Sequence, residues 1–269
     1  MTQPVDKPPT ETASAPAVVR AARILDLLAQ SPSPLSLAEL TRQLDAPKSS
    51  VHNLCSTLTQ LRLINKLASG LMTLGPHVMN WANGFLARSD VTQEFFAAWD
   101  GEGGLKKETV TLSVLDGDSV VYTACRNGSR PLGITFRIGM RLPAPYTATG
   151  KAILSTLTDE DVCGILQGSW PRPLTSAGTP SLKAFLQELS DTRARGYSID
   201  AGEVREGMHC FGAPVFDSSR AIAVAGIAVS LMSHDATSAM QHKVGKEIRQ
   251  MADRLSARLG ASASSAHYG

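Results

Sequence analysis

The run Tyr146-Thr147-Ala148-Thr149-Gly150-Lys151 combines residue types and spacing that could do chemistry. A loop becomes a helix there, and the first amides of a helix have no carbonyl one turn earlier to receive them. The N–H groups of Ala148, Thr149 and Gly150 should therefore point toward an anion such as a carboxylate. The same residues also read as a simple N-cap, Thr147, beside a packing contact, Gly150. Asp200 and Glu203 could accept hydrogen bonds from ligand hydroxyls or hold their own loop, and solvated loop carboxylates would look the same. Machinery for covalent catalysis is missing: there is no G-x-S-x-G, no Walker A loop, no G-x-G-x-x-G after a strand and no H-E-x-x-H. His209 and Cys210 are neighbours on an expected strand, so they face opposite ways and cannot form a nucleophile–base pair. Cys210 alone reads as a buried thiol. The chain is expected to bind rather than catalyse, with no cofactor and no metal.

A second cluster follows Pro47. Lys48, Ser49, Ser50, His52 and Asn53 open an expected helix whose other face carries Val51, Leu54, Cys55, Leu58 and Leu61. Lys48 and Ser49 can meet phosphates through side chains and helix-terminal amides, while His52 and Asn53 can reach base edges. Arg20, Arg23, Arg62 and Lys66 could add backbone contacts.

Two helices precede that one. Val18, Ala22, Leu25 and Leu28 recur at helical spacing until Ser31-Pro32-Ser33-Pro34, and Ser36 with Glu39 makes a capping box that starts a short second helix. Beyond it, Leu63–Leu67 and Leu71–Leu74 flank Ala68-Ser69-Gly70 as a hairpin in which Lys66 is the single charge. Three helices and a hairpin are the layout of a winged helix-turn-helix, whose third helix enters a DNA major groove. Topology alone also admits a protein-interaction module with a solvated polar face. A helix from Pro76 to Leu86 then shows Met79, Ala82, Phe85 and Leu86 as a stripe, broadened by Val78 and Trp81, wide enough to need a second subunit.

From Thr109 the period becomes that of a sheet. Hairpin strands lie on either side of Asp116-Gly117-Asp118, a helix runs from about Thr149 to Thr156, and another from Leu182 to Arg195 closes at Gly196. Strands follow near Met208–Phe216 and Ala221–Leu231, and a last helix spans Thr237–Leu259. This mixture indicates an α+β fold with an antiparallel sheet. One strand face reads Gly226, Ala228, Ser230 and its neighbour Met208, Cys210, Gly212, so converging small residues leave volume for a ligand or for a closely packed helix. The expected division is a disordered tail over 1–16, a DNA-binding domain over 17–75, a linker helix region over 76–100, and an α+β domain over 101–269, which the family resemblance given below makes the effector-binding and oligomerisation domain.

At 269 residues the chain exceeds the usual size of a single domain, and its net charge of +2 requires any DNA-binding surface to be local. The apolar stretch Ala221–Met232 is too short to span a bilayer, and the first residues lack a secretory layout, so a cytoplasmic protein is expected. Cys55, Cys125, Cys163 and Cys210 are too scattered for a disulfide framework or a zinc site.

The run AVVRAARILDLLAQSPSPLSLAELTRQLDAPKSSVHNLCSTL closely resembles the DNA-binding domain of the IclR family of transcription regulators. LPAPYTATGKAIL, RGYSID with Glu203, and GMHCFGAPVFD extend the resemblance from about Ala17 to Leu259. It implies a winged helix-turn-helix, a linker helix, a GAF-like effector domain, homodimers or homotetramers, double-stranded operator DNA as partner, and control of a catabolic or efflux operon. The expected effector is a small carboxylic acid of a catabolic pathway, with an aromatic body compatible with the small-residue faces. The resemblance implies Asp200, Glu203 and Cys210 as contacts, which join Ala148, Thr149, Gly150, Met208, Ala228 and Ser230 expected from the helix start and the strand faces. Two positions depart from the family: Asn53 stands where an arginine is common, and Gly202 where an acid is common. A metabolite-binding module or enzyme without DNA function is the competing class.

Overall fold

The computed structural model describes residues 15–87, 90–98, 105, 107–129, 136–168, 170–219 and 221–261. The expected tail falls almost wholly outside them. The chain divides into two compact units, with the boundary between Phe85 and Leu86.

In the first unit, α1 (Pro16–Gln30), α2 (Leu37–Leu44) and α3 (Lys48–Gln60) pack before the hairpin β1 (Ile64–Lys66) and β2 (Met72–Leu74), with α4 (His77–Ala87) following. Ser36 and Glu39 form the reciprocal capping box, which fixes where α2 begins. Asp45, in the left-handed region at φ 48°, ends α2 and turns the chain into α3. Ile24, Leu28, Leu40, Leu44, Val51, Cys55 and Leu58 interlock in the core, closed by Ile64 and Met72 from the hairpin. Two expectations are corrected here. Val18 is 67% exposed and Ala22 is also exposed, so α1 turns Ala21, Ile24, Leu25 and Leu28 inward instead. Leu61 is 55% exposed because it follows the last helical residue and leaves the stripe.

The second unit contains α5 (Asp90–Ala97) and a six-stranded antiparallel sheet in the order β5-β4-β3-β8-β7-β6, built from β3 (Thr109–Asp116), β4 (Ser119–Arg126), β5 (Arg141–Pro143), β6 (Ser198–Asp200), β7 (Met208–Val215) and β8 (Ala225–Met232). The α+β class stands. On one face, α9 (Ser238–Arg258) buries Val244, Ile248, Met251 and Leu255 against Phe211, Ile227, Val229 and Leu231. The other face carries α6 (Ala148–Leu154), α7 (Asp159–Ile165) and α8 (Leu182–Arg195). Gly196, at φ 80°, closes α8 as the turn chemistry requires.

Close approach of α6 to the sheet depends on two missing side chains. A Cβ on Gly212 would strike the Ala148 carbonyl, and one on Gly226 the Thr149 carbonyl. The register of β3 against β4 shifts between Leu112 and Ser113, so Thr123 is the extra residue of a bulge. That shift puts Tyr122 on the same face as Cys125, three residues away, instead of the opposite one.

Candidate functional site

Two regions bring functional side chains together, one in each unit. In the first, Lys48, Ser49, His52 and Asn53 are exposed along the start of α3, and Ser50 is half-buried. Pro47 is the N-cap and makes no side-chain cap bond, so the leading amides of a 13-residue helix keep their donors for an outside acceptor. From Ala46 to Ser89 the sequence contains no carboxylate at all, while Lys48, Arg62 and Lys66 lie within that stretch. Arg20 is exposed on α1, Arg23 is half-buried, and Lys66 is exposed at the end of β1.

In the second unit, cross-strand register arranges the small and polar residues in rows. Asp200, Cys210, Ser230 and Thr109 form one row across β6, β7, β8 and β3, and Ser198, Gly212, Ala228, Thr111 and Cys125 form the next. Between these rows and the start of α6 lies a void of about 10 Å³, room for about one water. Its walls include Ala148, Thr149, Asp200, Met208, Cys210, Ala228 and Ser230, all expected from the sequence. Thr111, Tyr122, Phe136, Thr147 and Val204 line it as well and were not expected.

Asp200 is 1% exposed. Its Oδ1 accepts the amides of Glu203 at 2.6 Å and Val204 at 3.3 Å, while Oδ2 has no hydrogen-bond partner. Burial pushes its carboxyl up to about 6, opposed by Lys151, the two amides and the neighbouring Cys210 thiol. The Cys210 thiol meets the Ser230 hydroxyl at 3.2 Å, and burial holds both that thiol and the Tyr122 phenol well above their ordinary values. The Thr149 hydroxyl is buried on this wall without a partner in hydrogen-bond geometry.

Two expected contacts are corrected. The Gly150 amide donates to Thr147 Oγ1 at 3.0 Å, so the N-cap satisfies it and only the Ala148 and Thr149 amides are left without a partner. Glu203 is absent from the cavity wall. It turns to Lys151, whose fully buried ammonium donates to Glu203, Glu188 and, at 2.9 Å, the Ile199 carbonyl. Thr179 bridges the two glutamates, and burial pushes the Glu203 carboxyl up to about 7 against the pull of Lys151. A lysine inside the fold had no signal in the sequence beyond its place in a helix.

Family models match both parts: the IclR helix-turn-helix domain over residues 17–68 and the bacterial transcriptional regulator IclR C-terminal domain over 104–257. The chain belongs to the IclR family. This IclR-family protein is similar to the Agobacterium tumefaciens repressor BlcR, at 47% identity over 94% of this chain and 100% of that one, with a TM-score of 0.62. It is 30% identical to the HTH-type transcriptional regulator BhcR of Paracoccus denitrificans, across 87% of this chain and 85% of that protein. Its fold also matches, at a TM-score of 0.75, 16% identity and coverage of 91% and 100%, an IclR homologue from Microbacterium hydrocarbonoxydans complexed with 4-hydroxybenzoate. The IclR-family chain is thus a transcriptional regulator with a helix-turn-helix and an effector-binding domain, and not an enzyme. Among the described residues no helix is long and apolar enough to cross a membrane, and no cluster of His, Cys, Asp and Glu could hold a metal ion.

Proposed function

We propose that this regulator represses an operon from the cytoplasm as a homodimer or pair of dimers and is released from its operator by a small carboxylic acid. The observation that carries the ligand half is the small void of the second unit, lined by Ala148 and Thr149, whose amides lack partners, and by the hydroxyl-bearing Thr111, Thr149 and Ser230. These are neutral donors suited to a carboxylate. Repression is supported by 47% identity to a protein described as a repressor.

The DNA half rests on α3. Lys48 and Ser49 would anchor phosphates, and Asn53, with His52, would read base edges. Exposed Met79 and Trp81 on α4, both 57% accessible, would be covered by a second copy, which would set two recognition helices on a palindromic operator. A void of about 10 Å³ favours a short acid over an aromatic one unless Phe136 and Tyr122 move aside. Gel shifts with the DNA upstream of the protein's own gene, with and without short carboxylic acids, test the reading. Binding should be sequence-specific and should weaken with the acid. A complex no tighter than with random DNA would defeat it.

A further inference from the structure

We propose that the effector carboxylate enters the cavity together with one proton, taken from solvent and then shared between the ligand and Asp200 Oδ2. The proposal rests on the effector reading of the cavity given above. Its starting point is the charge on the wall. Among the described residues that line the void, Asp200 is the one charged group, and none is Lys, Arg or His. An anionic ligand at the Ala148 and Thr149 amides would therefore face a carboxylate across a space about one water wide.

Two carboxylates at such range in a buried site do not both ionise, because their repulsion is weakly screened. The cation that could reconcile them is already engaged: the Lys151 ammonium has three donors and gives them to Glu188, Glu203 and the Ile199 carbonyl. Asp200 Oδ1 is likewise taken by two amides, whereas Oδ2 is buried with no partner in hydrogen-bond geometry, and the one side-chain donor beside the carboxyl is the weak thiol of Cys210. A proton on Oδ2 turns it from a second acceptor into the donor that a ligand carboxylate lacks on that side. Every titratable group near Asp200 leaves this task to it. The Cys210 thiol on β7 and the Tyr122 phenol on β4 are held neutral by burial, Lys151 on α6 is fully occupied, and Glu203 on its own loop points at Lys151. Burial already brings the Asp200 carboxyl up to about 6, so the uptake is small work near neutral pH.

The test is calorimetry on the full chain with acetate, propionate, butyrate and benzoate, each beside its primary amide, across the neutral range and in two buffers of different ionisation enthalpy. For an acid, binding should take up about one proton, and its Kd should rise up to about tenfold per pH unit above the Asp200 pKa. The matching amide, whose NH2 can donate to ionised Asp200, should keep its affinity. Asp200→Asn should flatten the acid's pH profile and remove the uptake; if that variant misfolds, the acid–amide contrast in the parent protein decides alone. An acid that binds with a flat profile and no proton uptake, yet is weakened by Ala228→Val, overturns the proposal and leaves the cavity reading standing. If no probe binds, or binding ignores Ala228→Val, the cavity reading fails and the proposal falls with it.

Discussion

Lys151→Met removes the cation at the centre of the buried cluster while keeping most of the side-chain volume. Two carboxylates then remain, on Glu203, whose side chain is 8% accessible, and Glu188, at 26%, both still bridged by Thr179. Breaking a buried pair from one side costs about 3 to 5 kcal/mol, and protonation of Glu203 relieves part of that, so about 3 kcal/mol is expected near pH 8. For a unit of this size that corresponds to a fall in Tm of roughly 6 to 12 °C. The pH dependence has a definite sign. Glu203 has its folded pKa raised from 4.5 to about 7, so its contribution to stability is fully present below 4.5 and is lost as pH rises through 7. Without Lys151 the folded pKa rises further and the loss continues past neutrality. The deficit of the variant should therefore widen from pH 6 to pH 8.5, by at most about 1.4 kcal/mol per unit. Adding Glu203→Leu should recover much of it, since an apolar replacement of the pair leaves fewer charges uncompensated. Thermal unfolding followed by calorimetry at several pH values reads both quantities. A deficit under about 1 kcal/mol at pH 8, or one that narrows as pH rises, would refute the reasoning.

Asn53→Ala should relax operator preference by about 1 to 3 kcal/mol in competition gel shifts, and an unchanged ratio of operator to random binding would remove its base-reading role. Lys48→Ala should weaken all DNA alike and lower the salt slope by about 1, which a titration against salt checks. Ala228→Val, a smaller plug than an aromatic because the void holds about 10 Å³, should keep operator affinity and lose the acid response. Met79→Glu on exposed α4 should shift sedimentation toward monomer and abolish operator binding; a parent-like dimer would count against pairing through that helix.

Wherever a local rule has a single physical cause, the sequence was legible. The Ser36–Glu39 box, Gly196 and the cap Thr237 place helix ends within a residue or so, since each satisfies orphan backbone groups at that point. Strand alternation likewise assigned Ala228, Ser230, Met208 and Cys210 to the face away from α9. Tyr122 escaped because alternation from Cys125 puts it on the opposite face, and only the unpaired Thr123 reverses that phase. The strands β5 and β6 are three residues each, too short for any period to show. The helix α7 is similarly brief, although Thr158 caps it through the Asp161 amide and could have been noticed. For α1, Val18 and Ala22 fit one helical stripe with Leu25 and Leu28 as well as Ala21 and Ile24 fit another, and only packing against α2 and α3 selected Ala21 and Ile24. Gly150 and Glu203 were misplaced for a shared reason: each had an available partner nearby, Thr147 or Lys151, that claimed it before a ligand could.

The cross-strand rows beneath α6 have an evolutionary reading. Asp200, Cys210 and Ser230 are far apart along the chain yet adjacent across three strands, as are Gly212, Ala228 and Thr111. Neighbours in a row share one width of space under the helix, so enlarging one side chain can be offset by trimming another in the same row while every backbone hydrogen bond persists. Gly212 and Gly226 are excluded from such trades because the backbone of α6 occupies the place of their Cβ atoms. Among relatives with different effectors, substitutions should therefore come in compensating pairs along Asp200–Cys210–Ser230 and along Ala228–Thr111–Cys125, with both glycines held fixed. A change of ligand in this fold would then be written across the strands rather than along them.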